Sequence, residues 1–244
     1  MIKIFVLAFN RPDILQQQID SFKKNLVGEY EFNIVYDTRD NKYLDEFKEI
    51  CEKNKANFHH HVSEPGKDPS FYGSDNFRWA YENIILNDPD DFIALILDHD
   101  MFLIDELNVE EYMKDYDIAT PVQTRQHIKY PWQGLFFFRK NILVPEKWNF
   151  HPTFVDGVML DAGGGLHSLL EDKNIRVKNL KVEYPDEYEG LDLKESDEGY
   201  GFELYDNQTF FHSRNACSWH NGYDITNKKV KTDIINLILK NING

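Results

Sequence analysis

Phe92-Ile93-Ala94-Leu95-Ile96-Leu97, followed at once by Asp98-His99-Asp100, decides how the rest of the chain is read. An unbroken apolar run of this length, ending abruptly in charge, spells a strand buried on both faces. Such strands belong to parallel sheets covered by helices. Toward the N-terminus the pattern repeats. Lys3–Ala8 is another short apolar run, and Pro12 suits the first turn of a helix carrying Ile14, Leu15, Ile19, Phe22 and Leu26. Phe32–Tyr36 reads as a second strand closing on Asp37-Thr38-Arg39-Asp40, and Tyr43, Leu44, Phe47, Ile50 and Cys51 give a second helix. Asn57–Val62 is a third strand, and Ser74 is placed to cap a third helix with Phe77, Ala80, Ile84 and Ile85. The order β-α-β-α-β-α-β predicts an α/β fold with a mostly parallel sheet flanked by helices.

The second half is less regular. Trp132–Arg139 reads as an aromatic strand, Gly163-Gly164-Gly165 opens a short helix over Leu166–Asp172, and Val177–Val182 is a further strand, stopped by Pro185. Glu187–Gly201 is acidic and reads as a surface loop, and the chain ends in a helix bearing Val230, Ile234, Ile235, Ile238 and Leu239. No repeat or linker divides residues 1–244, so a single domain is expected.

Composition narrows the function classes. The 244 residues carry 27 Lys and Arg against 42 Asp and Glu, a net charge of −15. That field repels a phosphate backbone and argues against a nucleic-acid partner. Cys51 and Cys217 form no disulfide framework and suit a reducing compartment, so a cytoplasmic location is expected. No signal peptide is read at the start, and no apolar run approaches the ~18–20 residues that span a bilayer. Neither G-x-G-x-x-G after the first strand nor a P-loop is present.

Ligands of parallel sheets bind beyond the carboxyl ends of the strands. At the end of the fourth strand, Asp98 and Asp100 alternate, and on an extended segment both carboxylates point one way. Two close anions repel unless a cation lies between them, and a hard divalent ion resolves that conflict. A turn in which the aspartates cap backbone groups is the alternative.

With the run Ile4-Phe5-Val6-Leu7-Ala8-Phe9-Asn10-Arg11-Pro12, the acidic Asp37 and the D-x-D of Asp98-His99-Asp100, the chain resembles the GT-A glycosyltransferases, family-2-like. The resemblance implies a Rossmann-like sheet. Residues 1–100 would hold a nucleotide sugar, UDP- or GDP-linked, and residues 101–244 a glycan or other hydroxyl acceptor. It implies that Phe9, Asn10 and Asp37 hold the nucleotide, and that Asp98 and Asp100 bind Mn²⁺ or Mg²⁺ bridging the diphosphate. It also implies a later histidine on the metal. Phe211–Trp219 is similar to that element, with His212 as the ligand and His220 in reserve.

Arg11, Arg78 and Arg214 are candidate phosphate partners, because guanidinium matches phosphate geometry. Asp75, at the expected start of the third helix, is placed either to contact a sugar or ribose hydroxyl or to cap the helix. His59-His60-His61 lacks a third ligand at zinc spacing and reads as structural or surface. Asp161, before Gly163 and Gly164, is the candidate general base, with Asp156 behind it; the glycines leave room for an acceptor. Glu171-Asp172 reads as an exposed helix end. Trp132 is placed to stack on an acceptor sugar, and Lys228-Lys229-Val230-Lys231 reads as a solvated helix start. The expected activity is metal-dependent glycosyl transfer. A catalytically silent sugar-binding module and a nucleotidyltransferase are the alternatives; the latter lacks its glycine-rich basic loop after the first strand.

Overall fold

The computed structural model describes residues 1–37, 41–63, 69–143, 148–188, 191–192, 201–214, 216–217 and 225–243. The four early strands are β1 (Ile2–Ala8), β2 (Tyr30–Asp37), β3 (Asn57–His61) and β4 (Ile93–Asp98). Between them run α1 (Pro12–Asn25), α2 (Leu44–Asn54) and α3 (Pro69–Ala80), the last continuing into a widened π turn over Tyr81–Ile85. Past β4 the strands shorten: β5 (Met101–Leu103), β6 (Ile118–Thr120), β7 (Leu135–Arg139), β8 (Val177–Asn179), β9 (Val182–Glu183), β10 (Phe202–Tyr205) and β11 (Phe210–Ser213). Helix α4 (Ile225–Asn243) follows.

Seven strands form the main sheet in the order β8-β6-β7-β4-β1-β2-β3. All are parallel to one another except β7, which runs antiparallel to both of its neighbours. The sheet is therefore mostly parallel, with helices on its faces, a Rossmann-like arrangement. The chain moves outward from β1 through β2 to β3, then returns to the other side of β1 to lay down β4. That reversal opens a crevice beyond the carboxyl ends of β1 and β4, the place where such sheets bind ligands.

Side-chain alternation fixes the two faces. Ile2, Ile4, Val6 and Ala8 join one core cluster with Leu15, Ile19, Phe22 and Phe47 of α1 and α2. Phe5 and Leu7 join the opposite cluster with Phe77, Ala80 and Tyr81. Each large apolar side chain buried this way is worth roughly 1.5–3 kcal/mol. A second sheet, β9-β10-β11-β5, is antiparallel throughout. Its Phe102, Phe202, Leu204 and Phe211 pack with Ile235 and Ile238 of α4.

Several elements differ from the sequence expectation. Helix α3 starts at Pro69, so Ser74 lies inside it and its Oγ donates back to the Ser70 carbonyl at 2.8 Å. The Gly73–Arg78 stretch is thus no helix N-terminus. The aromatic strand begins at Leu135, because Pro131 closes a hairpin of Val122–Arg125 with Ile128–Pro131. Residues 164–170 form a 3₁₀ helix, and Val177–Val182 divides between the two sheets. Most of Glu187–Gly201 lies outside the described residues. Among the described residues, no helix is long and apolar enough to cross a membrane.

Candidate metal and donor site

Asp98 is the last residue of β4. Its N–H donates to the Gly134 carbonyl at 2.9 Å, which ties β4 to the start of β7. The Gln18 amide, reaching in from α1, donates to the carbonyls of Asp98 (2.8 Å) and Met101 (2.6 Å). His99 and Asp100 occupy the turn this amide spans, between β4 and β5. The two carboxylates therefore converge across a turn and not along an extended strand, as alternation had suggested.

His212 completes the cluster from the second sheet. On β11 it lies opposite Met101 of β5 and opposite Glu203 of β10. One ligand atom each from Asp98, Asp100 and His212 lies within 4.8 Å of the other two. The His212 ring bridges two carboxylates, with Nε2 at 3.2 Å from Asp100 Oδ1 and Nδ1 at 2.7 Å from Glu203 Oε2. The Tyr205 hydroxyl donates to Glu203 Oε2 at 2.6 Å, and the Cys217 N–H to Asp100 Oδ2 at 3.4 Å.

The charges respond to this crowding. Burial, then repulsion from Asp100, pushes the Asp98 carboxyl up to about 7. Burial also raises Asp100, but its hydrogen bond and attraction to His212 outweigh that and hold it below the ordinary carboxylate range. Burial disfavours charge on His212, yet Asp100 and Glu203 together lift it to about 10. The His212 ring, set between Asp100 and Glu203, is thereby favoured in its charged form. Carboxylate oxygens with one imidazole are a donor set that fits a divalent ion, and the imidazole suits Mn²⁺ better than Mg²⁺.

A cavity of about 380 Å³ lies against the cluster, lined by Gln123, Trp132, Asp161, Tyr184 and Arg214 besides the acidic residues and His212. Arg214 is half-exposed, with Nε 3.7 Å from Glu203 Oε1, and it adds the cation of the site. Trp132 stacks on Tyr205 at 5.6 Å and lies tilted 5.3 Å from His212. Gly134 lets it do so: a Cβ there would fall 2.3 Å from the indole and 2.5 Å from Asp98 Oδ2. Asp161 is partly exposed, 3.5 Å from Arg125.

The other candidates have different surroundings. Arg11 is held by its own fold: it pairs with Asp13 at 2.8 Å and donates to the Ala216 carbonyl (3.1 Å) and Thr232 Oγ1 (2.6 Å). Arg78 pairs with Glu82 on an exposed helix face at 2.8 Å. Both guanidinium groups already have carboxylate partners, Asp13 and Glu82. Asp75 faces His61 at 3.1 Å from inside α3, so it caps no helix. Asp37 is buried at the end of β2, where the Ser63 N–H donates to it at 3.4 Å. Asn10 and Arg11 both adopt positive φ, which turns the chain from β1 into α1. Phe9 meets His99, whose Nδ1 lies 3.3 Å from the Phe9 nitrogen and 3.1 Å from its oxygen.

Gly163 and Gly164 make room for the protein itself. Gly163 has φ +87°, and a Cβ there would fall 2.3 Å from the Pro131 carbonyl; at Gly164 it would fall 2.4 Å from Leu160 Cβ. Asp156 sits in an exposed hairpin turn near His127, away from the cavity lining. Asp172 caps the Asn174 N–H at 3.0 Å. His59 contacts Asn33 at 3.0 Å, and His60 is exposed. Lys231 is buried and donates to the Arg214 carbonyl, whereas Lys228–Val230 and His220 lie outside the described side chains. Sequence reasoning passed over Glu203 and Tyr205, and the alternating pattern of β10 was the only signal for them.

No family model matches the chain, and no curated protein matches its sequence. Among solved structures, it is similar to the mannosyltransferase PcManGT from Pyrobaculum calidifontis in complex with GDP-Man and Mn²⁺. The TM-score is 0.50 at 12% identity, over 73% of this chain and 54% of the other. The chain thus spans about half the length of that enzyme. A nucleoside-diphosphate-sugar pyrophosphorylase from Vibrio cholerae also aligns, at a TM-score of 0.43 and 10% identity, over 73% and 91% of the two chains. The mannosyltransferase likeness shows a shared mixed α/β fold.

Proposed function

We propose that this chain is a metal-dependent glycosyltransferase that moves a sugar from a nucleoside-diphosphate sugar to a hydroxyl acceptor such as a glycan. The observation that carries the reading is the meeting of Asp98, Asp100 and His212 beside Arg214 and Asp161 in one cavity. The structural neighbour, which binds GDP-Man and Mn²⁺, supports it.

Asp98, Asp100 and His212 would hold Mn²⁺ or Mg²⁺, which as a Lewis acid stabilises the charge growing on a departing diphosphate. Arg214 pairs with the phosphate oxygens and lessens the repulsion that a chain of charge −15 exerts on an anionic donor. Trp132 offers an aromatic face to a sugar ring at the cavity wall. Asp161 takes the proton from the acceptor hydroxyl if the reaction inverts configuration. Asp37, at the end of β2, accepts hydrogen bonds from the donor nucleoside.

A thermal-shift series with nucleoside diphosphates and nucleotide sugars, with and without Mn²⁺, tests the reading. A ligand that binds only the native state raises the midpoint by mass action. Stabilisation by one donor that requires Mn²⁺, followed by transfer to an acceptor, is expected. No Mn²⁺-dependent shift with any of them overturns it.

A further inference from the structure

We infer that Glu203 is a positioning residue for the metal: by accepting the Nδ1–H of His212 it turns the Nε2 lone pair of that ring toward the site formed with Asp98 and Asp100. This rests on the metal reading proposed above.

The geometry is specific. Glu203 and His212 are direct cross-strand partners on β10 and β11, so their side chains leave the same face of the second sheet. Glu203 Oε2 lies 2.7 Å from His212 Nδ1, while Nε2 of the same ring faces Asp100. An imidazole donates from one nitrogen and coordinates through the other, so the partner of Nδ1 decides which nitrogen is left for a metal. Glu203 is itself held. Tyr205 donates to Oε2 at 2.6 Å, and Arg214 stands 3.7 Å from Oε1.

Glu203 is buried, with its side chain only 9% exposed, and is held by His212, Tyr205 and Arg214. Burying a further anion there costs free energy unless a positive charge accompanies it. The charge count explains the choice. Asp98, Asp100 and Glu203 contribute three negative charges, and Arg214 with a divalent ion contributes three positive ones. The set is then neutral with His212 neutral, the form that coordinates.

Direct Mn²⁺ titration of the whole chain by calorimetry, without donor or acceptor, tests this on Glu203→Gln and Glu203→Leu. Outer partners of metal-bound histidines typically contribute 10–100-fold to affinity. Glu203→Gln keeps an acceptor oxygen but loses the charge, and its Mn²⁺ affinity should fall about 10-fold. Glu203→Leu removes the acceptor and should lose about 100-fold. If the leucine variant does not fold, the glutamine variant, checked by circular dichroism, carries the test alone. Wild-type affinity in a folded Glu203→Gln overturns the role of Glu203. A wild-type chain that takes up no Mn²⁺ overturns the metal site itself, and this inference with it.

Discussion

Asp161 shows how far a single residue can be read. Its carboxylate lines the cavity that also holds Asp98, Asp100 and Arg214, and its only ion-pair partner among the described residues is the half-exposed Arg125 at 3.5 Å. An exposed pair of that kind is worth little, so Asp161→Asn should leave the fold and donor affinity intact. It removes the proposed base, and transfer at saturating donor should fall by ~10²–10⁴. Steady-state kinetics with separate donor-binding measurements decide this: weakened donor binding with an unchanged transfer rate would move Asp161 to the donor side. Asp98 and Asp100 were legible because they follow an apolar strand directly. His212 became legible only with the family resemblance, since nothing local marks it. Glu203 was hidden, because its meaning depends on which residue lies opposite it on β11. The partner of Arg78 was visible in the sequence itself, as Glu82 one helical turn on.

Elements of the first half were legible because their signals are local. Full burial on both faces makes β1 and β4 continuous apolar runs, and α1 shows its buried stripe at helical spacing. In the second half, strands of two to five residues pair with distant partners, and no local pattern announces that β5 joins β11 and not the main sheet. Ser74 misled for a physical reason: a serine that bonds back to the preceding turn looks, in sequence, like a cap. The turn from β1 into α1 carries a further consequence. Arg11, in the left-handed region at φ 58°, ties this turn to the Ala216 carbonyl and to Thr232 of α4. Arg11→Ala should therefore loosen α4 against α1, with a loss of about 1–3 kcal/mol for charged hydrogen bonds. Hydrogen exchange reads it out: amides of α4 should exchange faster while those of α2 keep their protection. Unchanged protection across α4 would show that its apolar face alone secures it.

On the scale of the whole molecule, the Asp98, Asp100 and His212 cluster couples two sheets. Asp98 ends β4 of the parallel sheet, whereas His212 and Glu203 come from the antiparallel one, so a bound ion would fasten the two together. Such an ion binds only the native arrangement and stabilises it by mass action. It must also displace protons, because a ligating histidine is neutral and a ligating carboxylate ionised. In the metal-free protein His212 is lifted to about 10 by Asp100 and Glu203 against the opposing effect of burial, so it carries a proton throughout neutral pH. Asp98, raised to about 7 by burial and by Asp100, is mostly protonated at pH 6 and mostly ionised at pH 8. The sign follows directly. Each proton that must leave competes with the metal, so Mn²⁺ affinity falls as pH falls, and it falls more steeply below pH 7, where Asp98 must release a proton as well as His212. Calorimetric titration at pH 6 and pH 8, in buffers of different ionisation enthalpy, counts those protons. About one should be released at pH 8 and more than one at pH 6, and the Mn²⁺-induced rise in the unfolding midpoint should be larger at pH 8. A pH-independent affinity with no proton release would mean that Mn²⁺ binds away from His212 and Asp98.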